Sequence, residues 1–516
     1  MRLSFSLSLI IIIAINVNLS AQKNIIYENL PIGKYAVGFK VITIVDDSRV
    51  AKPEYNYLGM KNEGDRRRRI TIQLWYPSKA NSGKRKLAYG DYCYNNLFKT
   101  SDEVIDTNQK NQQFVTFRRS VEGWFGRTTD EAWDKLIRYP MLAEMEAEPV
   151  NEKFPLLIGM LRPLSTSVIN ELLASNGYVV AMINSEGSSS FSESALENIP
   201  DMQFVISYLS KNENINDDIG SFGFSGSGFS QVLFAMSDYR VKALADIESG
   251  IYMEGLFQAL SASNYYNPAK LRVPFLHIFS HDLSLQEKYI DEFEKKAKFA
   301  KRYRLILNQP KLHHWDFAAE GYTSCIFLNN RGTAGNNTRQ SFEIASTYLL
   351  NFFNSELKKD SLSSHFLLDK SSLQKNSPSL WDITVYDPIK PAPDRDDFEY
   401  IIRKKGIKEA LEIMTDALKN DSSSNIMQWY VLNRLGYKFL NEGKYEEAIG
   451  IFKLNTELHP DDANLFDSLA EGYERSGDKE NMKKTTSIII DILNKKPTLT
   501  GAEKNLKQNA EKRLNQ

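Results

Sequence analysis

The chain has 516 residues, of which 42% are apolar and 25% are charged, and its formal net charge is −1 at pH 7. This length exceeds what one ordinary hydrophobic core supports, so two or three domains are predicted. A nearly neutral chain lacks the excess positive charge that is typical of nucleic-acid-binding proteins, and no nucleic-acid partner is predicted.

The N-terminus has the pattern of a secretory signal peptide. Arg2 precedes an apolar run over residues 9–17, and small residues lead to Ala21. The run is shorter than the ~20 residues that a membrane span requires. We therefore predict that residues 1–21 are removed and that the protein is exported, periplasmic or secreted, without a stable membrane span. Anchoring by an uncleaved segment is the alternative.

Two alternating apolar stretches, 37–45 and 70–75, predict an antiparallel pair of strands at the edge of a sheet. Four arginines at 66–69 lead into the second stretch, and we interpret them as a solvated strand entrance rather than a binding patch. Residues 85–150 are more polar, with helical patterning near 129–146, and are interpreted as an insertion or lid.

From residue 154 onward, short apolar runs alternate with helical patterns. This alternation predicts a parallel sheet covered by helices on both faces, with catalytic groups at the carboxyl ends of the strands. The predicted strands are 154–161, 178–183, 219–224, 241–247, 273–279 and 303–307, and the predicted helices are 165–175, 197–210, 228–237, 286–300 and 339–354.

A strand–turn–helix pattern surrounds Ser225 and indicates a nucleophile elbow. Positions two before and two after the nucleophile must be small, and Gly223 and Ser227 meet that requirement. If Ser227 were the nucleophile, Phe229 would occupy one of these positions, where its ring does not fit. Ser225 is therefore the predicted nucleophile, and a Gly/Ser loop without chemistry is the alternative.

A serine hydroxyl needs a base that is oriented by a carboxylate, and in this pattern the chain order is serine, acid, histidine. His313 and His314 follow the strand 303–307 closely and are the candidate bases. Asp282 follows the strand 273–279 and is the preferred acid. Asp246 and Glu248, after the preceding strand, are its rivals.

The C-terminal part of the chain is organised differently. Residues 358–397 lose the alternation and end in a proline-rich stretch, which predicts a linker. Residues 398–494 are helical and repetitive, and residues 495–516 are interpreted as a charged tail. Small or apolar residues recur at the tetratricopeptide period of 34 residues, with Gly436, Gly443 and Ala448 followed by Ala470, Gly477 and Met482. About three stacked hairpins are expected, with a surface for a protein or peptide partner.

Six segments together carry a family resemblance: ITIQLWYPSK, KFPLLIG, ELLASNGYVVAMI, DIGSFGFSGSGFS, VPFLHIFSHD and HHWDF. They resemble the α/β-hydrolase superfamily, and within it the platelet-activating-factor acetylhydrolase and dienelactone hydrolase branch, over residues 34–355. The resemblance implies an α/β-hydrolase sheet with helices on both faces, followed here by an all-α, tetratricopeptide-like domain.

The resemblance also bears on individual site residues. The family's H-x-x-F signature matches the segment that begins at His314, which favours His314 over His313 as the base. It implies backbone oxyanion donors at Gly226 and near Leu161. The turn at 159–164 departs from the family's His-Gly or Pro-Gly pattern, so the resemblance places the second donor only near Leu161.

The sequence thus predicts an exported serine hydrolase that cleaves esters or related acyl compounds with Ser225, His314 and Asp282 and needs no metal or organic cofactor. The alternative is a catalytically impaired hydrolase-fold protein that acts as a binding or scaffold module through its helical repeats. A disulfide between Cys93 and Cys325 stays open, because distance along the chain says nothing about proximity.

Overall fold

The computed structural model divides the chain into two compact units, Met1–Asp387 and Pro388–Gln516. Residues 24–515 are described, with gaps at 52, 56–57, 64, 81, 94–105, 161–163, 186–193, 250, 252, 282–286, 310–311, 330–333, 370–379 and 422–423. The predicted signal peptide, Asp282 and Leu161 lie outside the described residues.

The first unit is built on an 11-stranded sheet, counted over the described residues, in the order β11-β10-β9-β8-β7-β5-β6-β2-β1-β4-β3. Alternation of apolar residues, or continuous apolar runs, marks most of these strands. The strands are β1 (Ala36–Val50), β2 (Arg67–Ser78), β3 (Lys86–Ala88), β4 (Pro140–Met145), β5 (Phe154–Met160), β6 (Val179–Ser185), β7 (Ile215–Phe224), β8 (Val241–Ile247), β9 (Phe275–Ser280), β10 (Arg302–Leu307) and β11 (Trp381–Tyr386).

Helices cover both faces of this sheet, and each face has its own apolar cluster. One cluster includes α4 and α10, and the other includes α5, α6, α7 and α8. The helices of the first unit are α1 (Tyr89–Cys93), α2 (Thr107–Phe125), α3 (Asp130–Ile137), α4 (Ser167–Ser175), α5 (Ser194–Asn212), α6 (Gly226–Ser237), α7 (Glu254–Ser261), α8 (Glu287–Lys296), α9 (Ala319–Thr323), α10 (Ala334–Lys358) and α11 (Ser361–Leu368).

The sheet is parallel from β6 through β5, β7, β8 and β9 to β10, whereas β2 runs antiparallel to both β1 and β6. A mostly parallel sheet with helices on both faces confirms the predicted α/β-hydrolase type of fold. All six strands of the predicted alternation are present, within a few residues of the predicted bounds.

The margins of the sheet differ from the prediction. β3 and β4 lie inside the predicted insertion 85–150, and β4 pairs with β1, so the β1–β2 pair is not at the edge. β11 pairs with β10 inside the predicted linker 358–397, so the linker prediction was wrong there. These short strands carry a weak pattern; in β11, for example, only Trp381 and Ile383 are buried.

The second unit is all-helical in its described residues. Its helices are α12 (Arg395–Lys405), α13 (Ile407–Asn420), α14 (Trp429–Asn441), α15 (Tyr445–Leu458), α16 (Ala463–Ser476), α17 (Lys479–Asn494) and α18 (Gly501–Leu514). Helices α12, α14 and α16 begin 34 residues apart, at residues 395, 429 and 463. The predicted charged tail is instead α18, whose Leu506 and Ala510 pack against Ile489 and Leu493.

Two further sequence expectations concern membrane association and disulfide pairing. Among the described residues, no helix is both long and apolar enough to cross a membrane. No disulfide joins the two cysteines: Cys93 is buried on α1, and Cys325 is half-buried.

Candidate active site

Ser225 stands in a sharp turn between β7 and α6 at the carboxyl edge of the sheet. Its backbone has φ 58° and ψ −137°, a left-handed conformation that costs a non-glycine residue about 1–3 kcal/mol. Its N–H donates to the Ile247 carbonyl at 3.0 Å, and its own carbonyl accepts from Gly228 N–H at 3.0 Å. Ser225 as a whole residue is 8% exposed. A strained, hydrogen-bonded serine at this position is the geometry of a nucleophile elbow.

The glycines around Ser225 are required because other atoms approach their backbone closely. A Cβ added at Gly223 would lie 2.7 Å from the Gly228 nitrogen, and one added at Gly228 would lie 2.3 Å from Ser249 Cβ. Ser227 fits because its hydroxyl turns back and donates to the Phe224 carbonyl at 2.7 Å. The substitution of serine for the usual glycine is therefore accommodated inside the turn.

We expect Gly223→Ala to disrupt the elbow and to lower the rate of active-site labelling by at least about tenfold, since backbone atoms cannot yield to the added methyl group. Gly255→Ala is the matched control, because no atom lies within 4 Å of a Cβ placed there. Labelling kinetics with a fluorophosphonate, with folding checked by circular dichroism, measure the effect. Equal rates for the two variants would contradict the close-approach argument.

His314 lies opposite Ser225 in a short 3-10 turn, His314–Phe317, which follows β10. The turn is fixed at its start, where His313 N–H donates to Asp316 Oδ2 at 2.7 Å. The distance from His314 Nε2 to Ser225 Oγ is 2.9 Å. The Phe224 ring stacks on the imidazole at 5.0 Å. His314 is thus within hydrogen-bonding distance of the serine hydroxyl, and His313 is exposed.

The carboxylate that faces the other nitrogen of His314 belongs to Glu248. Its Oε2 lies 3.4 Å from His314 Nδ1, and its Oε1 accepts from Ser280 N–H at 2.5 Å. Glu248 follows β8 directly, with φ 48°, and its N–H donates to the Ile278 carbonyl at 2.8 Å. With the proton on Nδ1, His314 donates to Glu248 and leaves Nε2 as the acceptor for the serine proton.

Asp246, the other rival acid, contacts Ser249 and His277. Its Oδ1 accepts from Ser249 N–H at 3.2 Å, and its Oδ2 lies 3.7 Å from Nδ1 of the buried His277. Burial lowers the pKa of His277 below its ordinary value, in opposition to Asp246, which raises it. The Asp246–His277 pair therefore belongs to the sheet interior rather than to the site.

The neutral state of His277 predicts a pH dependence of stability. Below pH ~6.5 the unfolded chain takes up a proton that the folded chain, with its lowered His277 pKa, does not. Stability must therefore fall as the pH drops from that value, by up to about 1.4 kcal/mol per pH unit. We expect His277→Asn to reduce this slope in urea denaturation measured between pH 7 and pH 5. An unchanged slope would show that His277 is not responsible.

Of the two predicted oxyanion donors, Gly226 lies among the described residues. Gly226 opens α6 directly after Ser225, and the N–H of a first helical residue has no carbonyl partner inside its own helix. The positive end of the helix dipole points to the same place. A carbonyl oxygen that becomes negative beside Ser225 Oγ is favoured by both features. The second predicted donor, Leu161, lies outside the described residues.

Aromatic side chains from the predicted insertion reach the turn that holds His314. Trp124 of α2 stacks on Trp315 at 3.9 Å with an interplanar angle of 12°. The next residue, Phe125, places its ring 6.0 Å from that of His313. The α2 segment of the predicted insertion thus borders the site directly.

Sequence reasoning identified Ser225 and His314, which the structure brings together, and named Glu248 only as a rival of Asp282. Both carboxylates follow strands at the same edge of the sheet and keep the order serine, acid, histidine. Among the described residues, the carboxylate that faces the imidazole is that of Glu248, and it follows β8, which lies directly beside β7.

Comparison with known proteins finds a solved structure of low similarity. A ferulic acid esterase from Streptomyces cinnamoneus aligns over 69% of this chain and 97% of its own, with 16% sequence identity and a TM-score of 0.46. No family model matches the chain, and no curated protein sequence matches it. Because the identity and the TM-score are so low, this match carries no argument about the chain. The description of the fold depends instead on the chain's own strand order and local geometry.

Proposed function

We propose that this protein is a serine hydrolase that cleaves carboxylic esters or related acyl compounds through an acyl-enzyme intermediate. The observation that carries the proposal is the 2.9 Å distance between His314 Nε2 and Ser225 Oγ in a strained strand–helix turn. We assign the acid role to Glu248 rather than to Asp282, because the Glu248 carboxylate faces His314 Nδ1.

The geometry supports a two-step reaction. As Ser225 Oγ attacks the acyl carbonyl carbon, its proton passes to His314 Nε2, and Glu248 stabilises the imidazolium that forms. Gly226 N–H donates to the carbonyl oxygen as it becomes negative. His314 then protonates the leaving alcohol, which departs and leaves an acyl ester on Ser225. A water that gives its proton to His314 cleaves that ester and restores the hydroxyl.

Active-site labelling tests this proposal directly. A fluorophosphonate should phosphonylate the wild-type protein at Ser225, with the modified peptide identified by mass spectrometry. Ser225→Ala should abolish labelling. Ser227→Ala should preserve it, because the Ser227 hydroxyl is buried and donates to a backbone carbonyl.

Failure of the folded wild-type protein to react with the fluorophosphonate or to hydrolyse short-chain esters would favour the scaffold alternative. Labelling at Ser227 rather than at Ser225 would refute the assignment of the nucleophile. Labelling at Ser225 without hydrolysis would contradict the deacylation step.

We further propose that the second unit is a tetratricopeptide-like module that binds a peptide or protein segment. Support comes from the 34-residue spacing of its helices and from a cavity of about 450 Å³ between α13 and α15, lined by residues that include Leu411, Lys419 and Lys453. Capture of a partner by the whole chain, and not by a chain that ends at Asp387, tests this.

Export is proposed from the N-terminal sequence. Support comes from Arg2, the apolar run at 9–17 and the small residues that precede Gln22. N-terminal sequencing of the exported protein should begin at Gln22, and an intact Met1 on exported protein would contradict cleavage.

A further inference from the structure

A short helix, α9, follows the turn that holds His314 and packs tightly against it. A Cβ added at Gly321 of α9 would lie 2.3 Å from the Trp315 carbonyl oxygen and 2.8 Å from Asp316 Cα. Trp315 and Asp316 directly follow His314 within the same 3-10 turn. The backbone of α9 therefore contacts the backbone of the turn, and a displacement of α9 displaces the turn as well.

Two hydrogen bonds connect α9 to Ser165, which lies between β5 and α4. Ala319 N–H donates to the Ser165 carbonyl at 2.8 Å, and the Ser165 hydroxyl donates to Glu320 Oε1 at 2.8 Å. One bond joins backbone atoms and the other joins side chains of Ser165 and the next residue of α9. Together they fix both the distance and the orientation of the first turn of α9 relative to Ser165.

The segment that contains Ser165 begins at the sheet edge where Ser225 lies. β5 is parallel to β7, and the carboxyl ends of parallel strands share one edge. β5 ends at Met160, and β7 ends at Phe224, directly before Ser225. α9 thus joins the chain that follows β5 to the turn of His314, at the edge where the proposed reaction occurs.

Glu320 is buried in this connection. It is 6% exposed, and Ser165 is 2% exposed. Burial, together with the nearby Glu320 carboxylate, raises the pKa of Tyr89 and of Cys93 on α1, so both of these groups stay neutral near pH 7. Burying a carboxyl group costs free energy unless hydrogen bonds compensate it. An apolar side chain of the same length would avoid that cost, but it could not accept the hydrogen bond of the Ser165 hydroxyl.

The position of His314 tolerates little error. Its Nε2 lies 2.9 Å from Ser225 Oγ, and a hydrogen bond weakens steeply as such a distance or its angle departs from the ideal. Misplacement of a reacting group by about 1 Å lowers a rate by up to about 10²-fold. The Phe224 ring restrains the imidazole plane, and the backbone position of the turn depends also on its packing against α9.

We propose that Glu320 is a positioning residue for the reaction of Ser225. Through Ser165 it holds α9, and with it the turn of His314, at the separation that proton transfer from the serine requires. This role rests on the proposed hydrolase function. Glu320 acts through Ser165 and α9 rather than on the substrate.

Matched substitutions at Glu320 test this role. Glu320→Met keeps the length of the side chain and removes the acceptor, whereas Glu320→Gln keeps an acceptor oxygen for the Ser165 hydroxyl. We expect Glu320→Met to lower kcat for a soluble short-chain ester by at least about tenfold and to leave KM within about threefold of the wild type, because a displaced base slows the reaction of bound substrate. Glu320→Gln should keep kcat within about threefold of the wild type.

Ser165→Ala removes the donor of the same hydrogen bond and tests the role independently if Glu320→Met does not fold. It should also lower kcat more than it changes KM. The double variant Ser165→Ala/Glu320→Met should lose no more than the more affected single variant, since all three lack the same hydrogen bond.

Glu294→Met is the control for loss of a buried carboxylate. Glu294 is 8% exposed and pairs with Arg304 at 2.6 Å, near the start of β10 and away from the carboxyl edge of the sheet. This variant should lower the midpoint of urea denaturation and leave kcat unchanged. All rates are measured at a temperature where circular dichroism shows every variant to be folded.

Three results would each overturn the role of Glu320 while the hydrolase function stands: an unchanged kcat in folded Glu320→Met or Ser165→Ala, equal losses in Glu320→Met and Glu320→Gln, or equal losses in Glu320→Met and Glu294→Met. A folded wild-type protein that neither reacts with a fluorophosphonate nor hydrolyses esters would instead refute the hydrolase function, and this role with it.

Discussion

Replacing Glu248 with glutamine is expected to lower kcat/KM for ester hydrolysis by about 10³–10⁴-fold, with little change in folding. The Glu248 carboxylate faces His314 Nδ1 at 3.4 Å and is itself held by Ser280 N–H. An amide in its place cannot neutralise the imidazolium. It also permits the tautomer in which Nε2 carries the proton and cannot accept one from Ser225. Initial rates with a soluble short-chain ester measure the loss.

Asp282→Asn is the comparison that decides between the two acids, because both residues follow strands that end at the same sheet edge. We expect Asp282→Asn to stay within a few-fold of the wild type. The opposite result, a large loss with Asp282→Asn and a small one with Glu248→Gln, would return the acid role to Asp282 and refute our assignment. Circular dichroism of both variants must match the wild type for the rates to be compared.

The proposed nucleophile could be located from the sequence because the geometry of its turn is local. Gly223, Ser225 and Gly228 lie within six residues, and the approach of Gly223 to the Gly228 nitrogen, which demands a small side chain, occurs inside this turn. The acid could not be chosen in the same way, because its role depends on the pairing of β8 with β7 and on the path of the turn before His314. These are long-range contacts, and the order of residues along the chain leaves Asp282 and Glu248 equivalent.

The strands of the sheet also divide into those that the sequence predicts and those that it does not. The central strands were predictable because both of their faces are buried, which produces continuous apolar runs such as that of β5. The strands added at the margins, β3, β4 and β11, are short and half-exposed, and their pattern is too weak to separate them from an insertion or a linker. Likewise α18 buries few residues along its length, so its charged surface made it resemble a tail.

Loss of Asp201 is expected to have the largest effect on stability. Asp201 is fully buried and pairs with Arg68, which is also buried, and with Arg49. Asp201→Ala removes the carboxylate that neutralises the buried Arg68 guanidinium. Breaking a buried ion pair in this way typically destabilises a protein by about 3–5 kcal/mol. Urea denaturation at pH 7 should show this as a lower midpoint.

The double variant Arg68→Met/Asp201→Leu separates a lost charge pair from lost packing. Because it removes both charges and keeps apolar volume, it should recover most of the stability that Asp201→Ala loses. Equal destabilisation by the single and the double variant would show that packing, not the uncompensated charge, is the cause.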